Sequence, residues 1–261
     1  EKNEEAYANV FTIHYPDEER PAARPLRTAP CYERLKNMGA VFGASFGWER
    51  ANWFAPKGID QVDDWSFRRS SYHEHVGNEI KNLSTNVGLL DLSGFAKSRI
   101  SGPSAESFLN YLVANKIPKK VGRVSLCHAL NSLGGVHSEF TITKQGQNSY
   151  YLVSAGGFQR LDHDWIKKNM PSDNSVIFED LTNSKGVLVV AGPKSRQLMN
   201  LVSDNNFNNE NYNSIIVNDT AGTYASITTR CEKTPTVEVV SGRNAAATAF
   251  LANGQLSSVV L

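Results

Sequence analysis

Apolar and polar positions recur with clear periods between residues 71 and 203 and less regularly outside that span. Val76, Ile80 and Leu83 fall at helical spacing and predict a helix over Tyr72 to Leu83. Gly88 to Ser93 predicts a short strand and turn, and Ala96 to Ile100 a second strand. A helix then opens at Ser101-Gly102-Pro103-Ser104-Ala105-Glu106, with proline near the first turn and an acid that suits the N-terminal dipole. Phe108, Leu109, Leu112 and Val113 form its apolar stripe. Arg123 to Leu130 and Val136 to Lys144 read as paired strands around Asn131-Ser132-Leu133-Gly134-Gly135, and Tyr150 to Ser154 as a third. A helix from Phe158 to Asn169, strands near 175–180 and 186–191, and a helix over 194–203 complete this stretch. Beyond the Asn-rich segment Asp204 to Asn213, the pattern predicts strands at Ser214 to Val217, Gly222 to Thr229 and Thr236 to Val240. An Ala-rich helix from Gly242 to Asn253 follows them. Hairpins mixed with helices specify an α+β fold rather than a parallel doubly wound sheet.

Residues 1–70 read differently. They are rich in Pro, Arg and aromatic residues and hold few sustained periodic runs, as an irregular linker does. Pro21, Pro25 and Pro30 bar a helix before Tyr32, and Cys31 to Met38 predicts one short helix ending at Gly39. Trp48, Trp53 and Trp65 lie among charges, where they anchor irregular backbone against a neighbouring unit or stack on a ligand.

The strand after the glycine pair carries the most informative residue. Val136, Phe140 and Ile142 share one parity, so His137, Glu139, Thr141 and Thr143 are expected on the opposite face, His137 towards solvent. Acids are depleted in strands, so Glu139 marks either a solvated sheet face or a carboxylate that lines a ligand site.

Composition narrows the function classes. With 261 residues and 40% apolar content the chain can bury one large core or two small ones. A formal charge of +1 argues against nucleic acid as the main partner. Arg68-Arg69 and Lys119-Lys120 with Arg123 are local basic clusters, either solvated loop charge or a landing site for an anionic tail. Cys31, Cys127 and Cys231 are odd in number and scattered, as in a reducing compartment, and no Cys or His spacing forms a metal site. Asp162-His163-Asp164 diverge around a helix axis and cannot converge on one ion, while Cys127 and His128 point to opposite faces of a strand. Asp91 reads as a turn former. No apolar run approaches the ~20 residues that span a bilayer, and Glu1-Lys2-Asn3-Glu4-Glu5 is no signal peptide. No GxGxxG follows a strand, so the dinucleotide fingerprint is missing.

Five blocks, in order, carry a resemblance. Asn115-Lys116-Ile117-Pro118, Gly122 to Asn131, and the glycine-pair strand come first, followed by Arg160-Leu161-Asp162-His163-Asp164-Trp165-Ile166 and Gly186 to Pro193. Together they resemble the folate-binding region of dimethylglycine and sarcosine dehydrogenases, itself similar to the aminomethyltransferase (T-protein) of the glycine cleavage system. Tyr15 to Arg20, Arg24 to Thr28 and Phe46 to Pro56 resemble the segment joining the flavin half of those enzymes to the folate half. The resemblance implies a tail of the flavin oxidoreductase central region over 1–70 and a ferredoxin-like folate-binding domain over 71–261. It also implies tetrahydrofolate as cofactor, with FAD only through an N-terminal domain missing from this chain, and methylene transfer from a methylated glycine derivative. By the same resemblance the chain does not oxidise an amine alone. It works with a flavin oxidoreductase domain or subunit, in the cytoplasm or, in a eukaryote, the mitochondrial matrix. Nucleic acid, membrane and metal have no part in it.

The resemblance also assigns residues. Glu139 falls where the family places its catalytic carboxylate, as base or anchor for a folate nitrogen. His128, on the preceding strand, and Ser154, ending the following one, fall near the ligand. A later family motif of the form Tyr-x-Gly-Glu-x-Gly-Trp-Glu maps onto Thr228 to Glu238, with Glu232 and Glu238 for its acids but with longer spacing and without its Gly and Trp. This departure makes a non-catalytic folate-binding module the alternative to a transferase. A relation to iron–sulfur assembly factors ranks last, because their Lys-Gly-Cys-Tyr-x-Gly-Gln-Glu motif is absent.

Overall fold

The computed structural model describes residues 1–202 and, beyond them, the strand backbones Tyr224–Thr229, Pro235–Ser241 and Ala245–Ala246. In chain order the elements are α1 (Lys2–Ala8), α2 (Tyr32–Asn37), β1 (Ala40–Ser45), β2 (Trp48–Phe54), α3 (His73–Thr85), β3 (Gly88–Asp91), β4 (Ala96–Ser101) and α4 (Ala105–Leu112). Next come β5 (Val124–Leu130), β6 (Val136–Gly146), β7 (Ser149–Ser154), α5 (Gln159–Asn169), β8 (Ile177–Asp180), β9 (Leu188–Ala191) and α6 (Ser195–Val202). The strands past residue 202 are β10 (Tyr224–Thr229), β11 (Pro235–Ser241) and β12 (Ala245–Ala246).

The α+β reading holds. A five-stranded sheet runs β5-β6-β7-β4-β8 with every neighbouring pair antiparallel. Strand β4 lies between β7 and β8, which flank the α5 crossover, so this is the split βαβ arrangement of ferredoxin-like folds. One sheet face meets α4 and α5: Phe108, Leu109 and Leu112 of α4 and Ile166 of α5 pack on Ile100, Cys127, Ala129, Phe140, Ile142, Tyr150 and Leu152. A second sheet, β10-β11-β9-β3, has β12 paired to β11. Over Ala245–Ala246 the expected Ala-rich helix is therefore a strand, because these residues complete the ladder with Val240 and Ser241. The rest of that predicted helix, the predicted strand Ser214 to Val217 and Glu232 lie outside the described residues.

The N-terminal seventy residues contain two elements that periodicity does not announce, α1 and the β1–β2 hairpin. The hairpin turns at Phe46-Gly47, both in the left-handed region at φ 53° and 84°, the geometry that matches strand twist. A register shift between Val41 and Phe42 interrupts its alternation, which hides it from a period-2 search. Trp53 acts as an anchor here. Trp53 is buried, stacks on Tyr72 and His75, and donates Nε1–H to Asp63 at 2.8 Å.

A second irregularity corrects the parity expected for β6. Ala129 pairs with Ser138 and Leu130 with Val136, so His137 is an extra residue opposite the partner strand. Such a bulge resets the alternation. Val136 is therefore 64% exposed instead of core, and His137 is half-buried instead of solvent-facing, its ring stacked on Trp165 at 4.1 Å. From Ser138 onward the expected alternation returns, with Phe140 and Ile142 in the core.

Candidate functional site

His128 and Glu139 are directly paired across β5 and β6. Strand β5 is an edge of its sheet, and both backbone groups of His128 point outward from it. Its N–H donates to Asn115 Oδ1 at 2.9 Å, and its carbonyl accepts the Ala114 N–H at 2.9 Å. The pair is thus of the narrow, non-hydrogen-bonded kind, in which facing side chains come closest. His128 Nε2 lies 2.9 Å from Glu139 Oε2, and Nδ1 lies 3.3 Å from Asn115 Oδ1. Asn115, in the loop after α4 and its cap, is thereby joined to the site, a contact that strand pattern gives no means to foresee.

The same ladder places Leu130 opposite Val136 on one side of this pair and Leu126 opposite Thr141 on the other. Leu130 and Val136 are exposed. A carboxylate–imidazole pair bordered by open apolar side chains suits a flat ligand that has N–H donors at its rim. The hairpin end is held by Asn131, whose Oδ1 accepts the N–H groups of Leu133 and Gly135 at 3.0 and 2.9 Å. Gly134, at φ 80°, supplies the left-handed residue this turn requires.

Ser154 and Glu238, also assigned from the sequence, are placed apart from this pair. Ser154 is buried and shares the parity of Tyr150 and Leu152, on the helix-covered face opposite Glu139. Glu238 belongs to the second sheet, where its backbone pairs with Ser226 and Val189. Cys127 faces the core, opposite to His128 as strand alternation predicts, and burial pushes its thiol up to about 11, which makes it a poor nucleophile. Asp162, His163 and Asp164 diverge: Asp162 is buried, His163 approaches Asp180 at 3.7 Å, and Asp164 pairs with Lys168 at 2.7 Å. Among the described residues no group of three or more His, Cys, Asp or Glu could hold a metal ion. No described helix is long and apolar enough to cross a membrane.

A second polar cluster lies on the same sheet face at its covered end. Lys97 is fully buried, and its Nζ donates to the Ser93 carbonyl at 2.6 Å. Ser93 in turn gives its N–H and Oγ–H to Asp91 Oδ1 at 2.9 and 2.5 Å, and its Oγ accepts the Val187 N–H at 2.9 Å. Asp91 is the turn former the sequence suggested. Desolvation lowers the Lys97 amine to about 8 against the pull of Asp91, and raises Asp91 against its Ser93 bonds and Lys97. Sequence reasoning missed Lys97, since Lys97 and Arg99 at one parity look like a solvated face.

Beside this cluster Asp91 lines a cavity of about 200 Å³ together with Tyr32, Phe42, Phe46, Trp48 and Phe95. The N-terminal segment contacts two residues of its wall, Glu49 and Trp48. Arg24 grips the buried Glu49 through two bonds of 2.9 and 2.6 Å, and Arg27 lies 4.0 Å over the Trp48 ring. The bond to Glu49 raises the Arg24 guanidinium further.

Comparison with known proteins places the chain in a family. The GCVT N-terminal domain matches residues 31–234, and the FAD dependent oxidoreductase central domain matches residues 1–29. The mitochondrial dimethylglycine dehydrogenase of Mus musculus is 36% identical over 200 residues, covering 76% of this chain and 23% of that protein. The 4-methylaminobutanoate oxidase (formaldehyde-forming) of Paenarthrobacter nicotinovorans is 28% identical over 209 residues, covering 80% of this chain and 25% of that protein. The chain thus spans about a quarter of the length of these curated relatives. Among solved structures, the glycine cleavage system aminomethyltransferase T of Bartonella henselae superposes with a TM-score of 0.66 at 19% identity, over 83% of this chain and 54% of that one, a likeness of fold. Matched over most of its length, this chain belongs to the GCVT N-terminal domain family, with an FAD dependent oxidoreductase central-domain segment ahead of it.

Proposed function

We propose that this chain is the folate-dependent one-carbon transfer portion of an amine dehydrogenase of the dimethylglycine and sarcosine type. The observation that carries this reading is the His128–Glu139 pair. Its side chains are 31% and 53% exposed, and an ion pair that open contributes only about 0–1 kcal/mol to stability. A carboxylate held at 2.9 Å by an imidazole beside exposed Leu130 and Val136 serves a ligand better than it serves the fold.

In this reading Glu139 accepts a hydrogen bond, or the proton itself, from a ring nitrogen of tetrahydrofolate as that nitrogen attacks. His128 holds the carboxylate in place, and the apolar ledge supports the ring. Tetrahydrofolate supplies the nucleophilic nitrogens that capture a one-carbon unit. The protein's part is to bring together that nitrogen, a proton acceptor and an iminium, which removes much of the entropic barrier. Two-electron oxidation of the methylated amine by the flavin oxidoreductase domain or subunit would supply that iminium, with the demethylated amine as leaving group. FAD belongs to the flavin domain of the same enzyme or to a partner subunit, and the match of residues 1–29 supports that connection. Relatives named as mitochondrial support a matrix location if the source is eukaryotic. Glu232 and Glu238 remain as proposed contacts from the resemblance, whereas Ser154, buried on the face opposite Glu139, is not a contact of a ligand held there.

Calorimetric titration with tetrahydrofolate, beside Glu139→Ala, tests the reading. Binding by the parent and a loss of at least about tenfold in the variant are expected, as for truncation of a charged hydrogen-bond partner. A folded parent that does not bind would end the proposal. Binding without methylene transfer in the presence of a flavin partner would instead identify a non-catalytic folate-binding module, in keeping with the departures between Thr228 and Glu238.

A further inference from the structure

A glutamate on a strand has three rotatable bonds, so a carboxylate that must meet a ligand needs something to select its direction. For Glu139 that selection passes through His128 to Asn115. The His128 N–H donates to Asn115 Oδ1 at 2.9 Å, so the amide oxygen, not its NH₂, faces β5. The same oxygen lies 3.3 Å from Nδ1 of the His128 ring. A half-turn of that ring would bring a C–H against Oδ1 and withdraw Nε2 from Glu139. With an N–H on both ring nitrogens, so that each donates to its oxygen acceptor, Asn115 favours the one orientation in which Nε2 meets Oε2 at 2.9 Å. The loop itself has another tie to the strand, the Ala114 N–H donated to the His128 carbonyl at 2.9 Å, so the Asn115 side chain is not needed merely to attach it.

We infer that Asn115 is a positioning residue: it fixes the His128 ring so that Nε2 holds Oε2 of Glu139 and leaves Oε1 for an N–H donor on the ligand. The nature of that ligand rests on the folate reading above, but the positioning does not. The chain Asn115–His128–Glu139 links the loop after α4, the edge strand β5 and the bulged strand β6. The direction of one carboxylate is thereby tied to that loop.

Two measurements on the full chain test this. Nuclear Overhauser contacts in the parent report which edge of the His128 ring lies against Asn115, and ring nitrogen shifts report the change in variants. Nδ1 on the Asn115 side is expected in the parent. Asn115→Leu, of similar size but without an acceptor, should shift both ring nitrogens and weaken tetrahydrofolate binding by roughly 3- to 30-fold, the range of directly coupled residues. Asn115→Asp, which keeps an acceptor in place, should restore both. In a His128→Phe background, Asn115→Leu should cost nothing further. A parent ring with Hδ2 against Asn115 would overturn the inference even if Asn115→Leu does not fold. Unchanged ring nitrogens in Asn115→Leu, or full additivity with His128→Phe, would overturn it as well. If the parent fails to bind tetrahydrofolate while the ring signals respond as described, the folate reading falls and the positioning stands.

Discussion

Lys97 and Glu139 occupy the same face of one sheet and have opposite surroundings. Lys97 pairs in register with Val153, which pairs with Thr141 of β6, so their side chains share the face that carries Glu139. Over β4 and β7 this face is closed by Tyr151, Val153, Leu181 and Val187, with Leu92 and Phe95 against them. At the β5–β6 hairpin end, Leu130, Val136 and Glu139 are exposed. Each place joins a base to a carboxylate, through Ser93 in one case and directly in the other. Burial makes the first a costly structural junction whose groups are pushed from their ordinary protonation ranges. Exposure leaves the second nearly neutral for stability and available to a ligand. The same two kinds of group are thus divided by solvent access alone into a part that holds the fold and a part that can act.

The largest expected effect breaks the buried side. Asp91→Ala removes the acceptor of both Ser93 bonds and leaves the Lys97 charge uncompensated, so chemical denaturation should show a loss of about 3–5 kcal/mol. Tetrahydrofolate affinity of the folded protein should hardly change. A loss below about 1 kcal/mol would mean that the junction is not where the stability resides.

Lys97→Met sharpens the contrast through pH. The folded amine gives up its proton around 8 and the unfolded one around 10.5, so between these values the unfolded chain binds more protons. Stability from this group therefore rises with pH across that window, by roughly 3 kcal/mol in all, and its penalty is fully present below pH 8. Cys127 opposes this above pH 9, since its raised thiol keeps a proton that the unfolded chain releases. The quantity to measure is the parent-minus-variant difference in unfolding free energy against pH. A flat difference between pH 8 and 10.5 would contradict a desolvated Lys97. The smallest effect concerns the open side: Glu139→Gln should move unfolding free energy by no more than about 1 kcal/mol. A larger loss would make Glu139 structural after all.

Much of the fold is legible because local periodicity and tertiary burial agree over α4 and much of the β5–β6 hairpin. The α4 stripe of Phe108, Leu109 and Leu112 packs where its spacing directs, and the β5–β6 hairpin forms around the Asn131–Gly135 turn. The failures sit where the backbone departs from a regular ladder. One bulge at His137 reverses the expected sides of two residues, and another in the β1–β2 hairpin conceals both of its strands. A bulge adds one residue without a sequence signature of its own, so period-2 reasoning passes over it.

By itself the sequence determined the α+β class, the helix and strand order of the central region, and Glu139 as the acid out of place on its strand. It did so because side-chain period and turn chemistry are local properties. Only the tertiary structure decided that Lys97 is buried while Glu139 is open, that Ser154 lies on the other face, and that Asn115 reaches the His128 ring. Those outcomes depend on which segments cover a sheet and which loop crosses its edge, and desolvation and hydrogen-bond partners are set by neighbours distant in the chain.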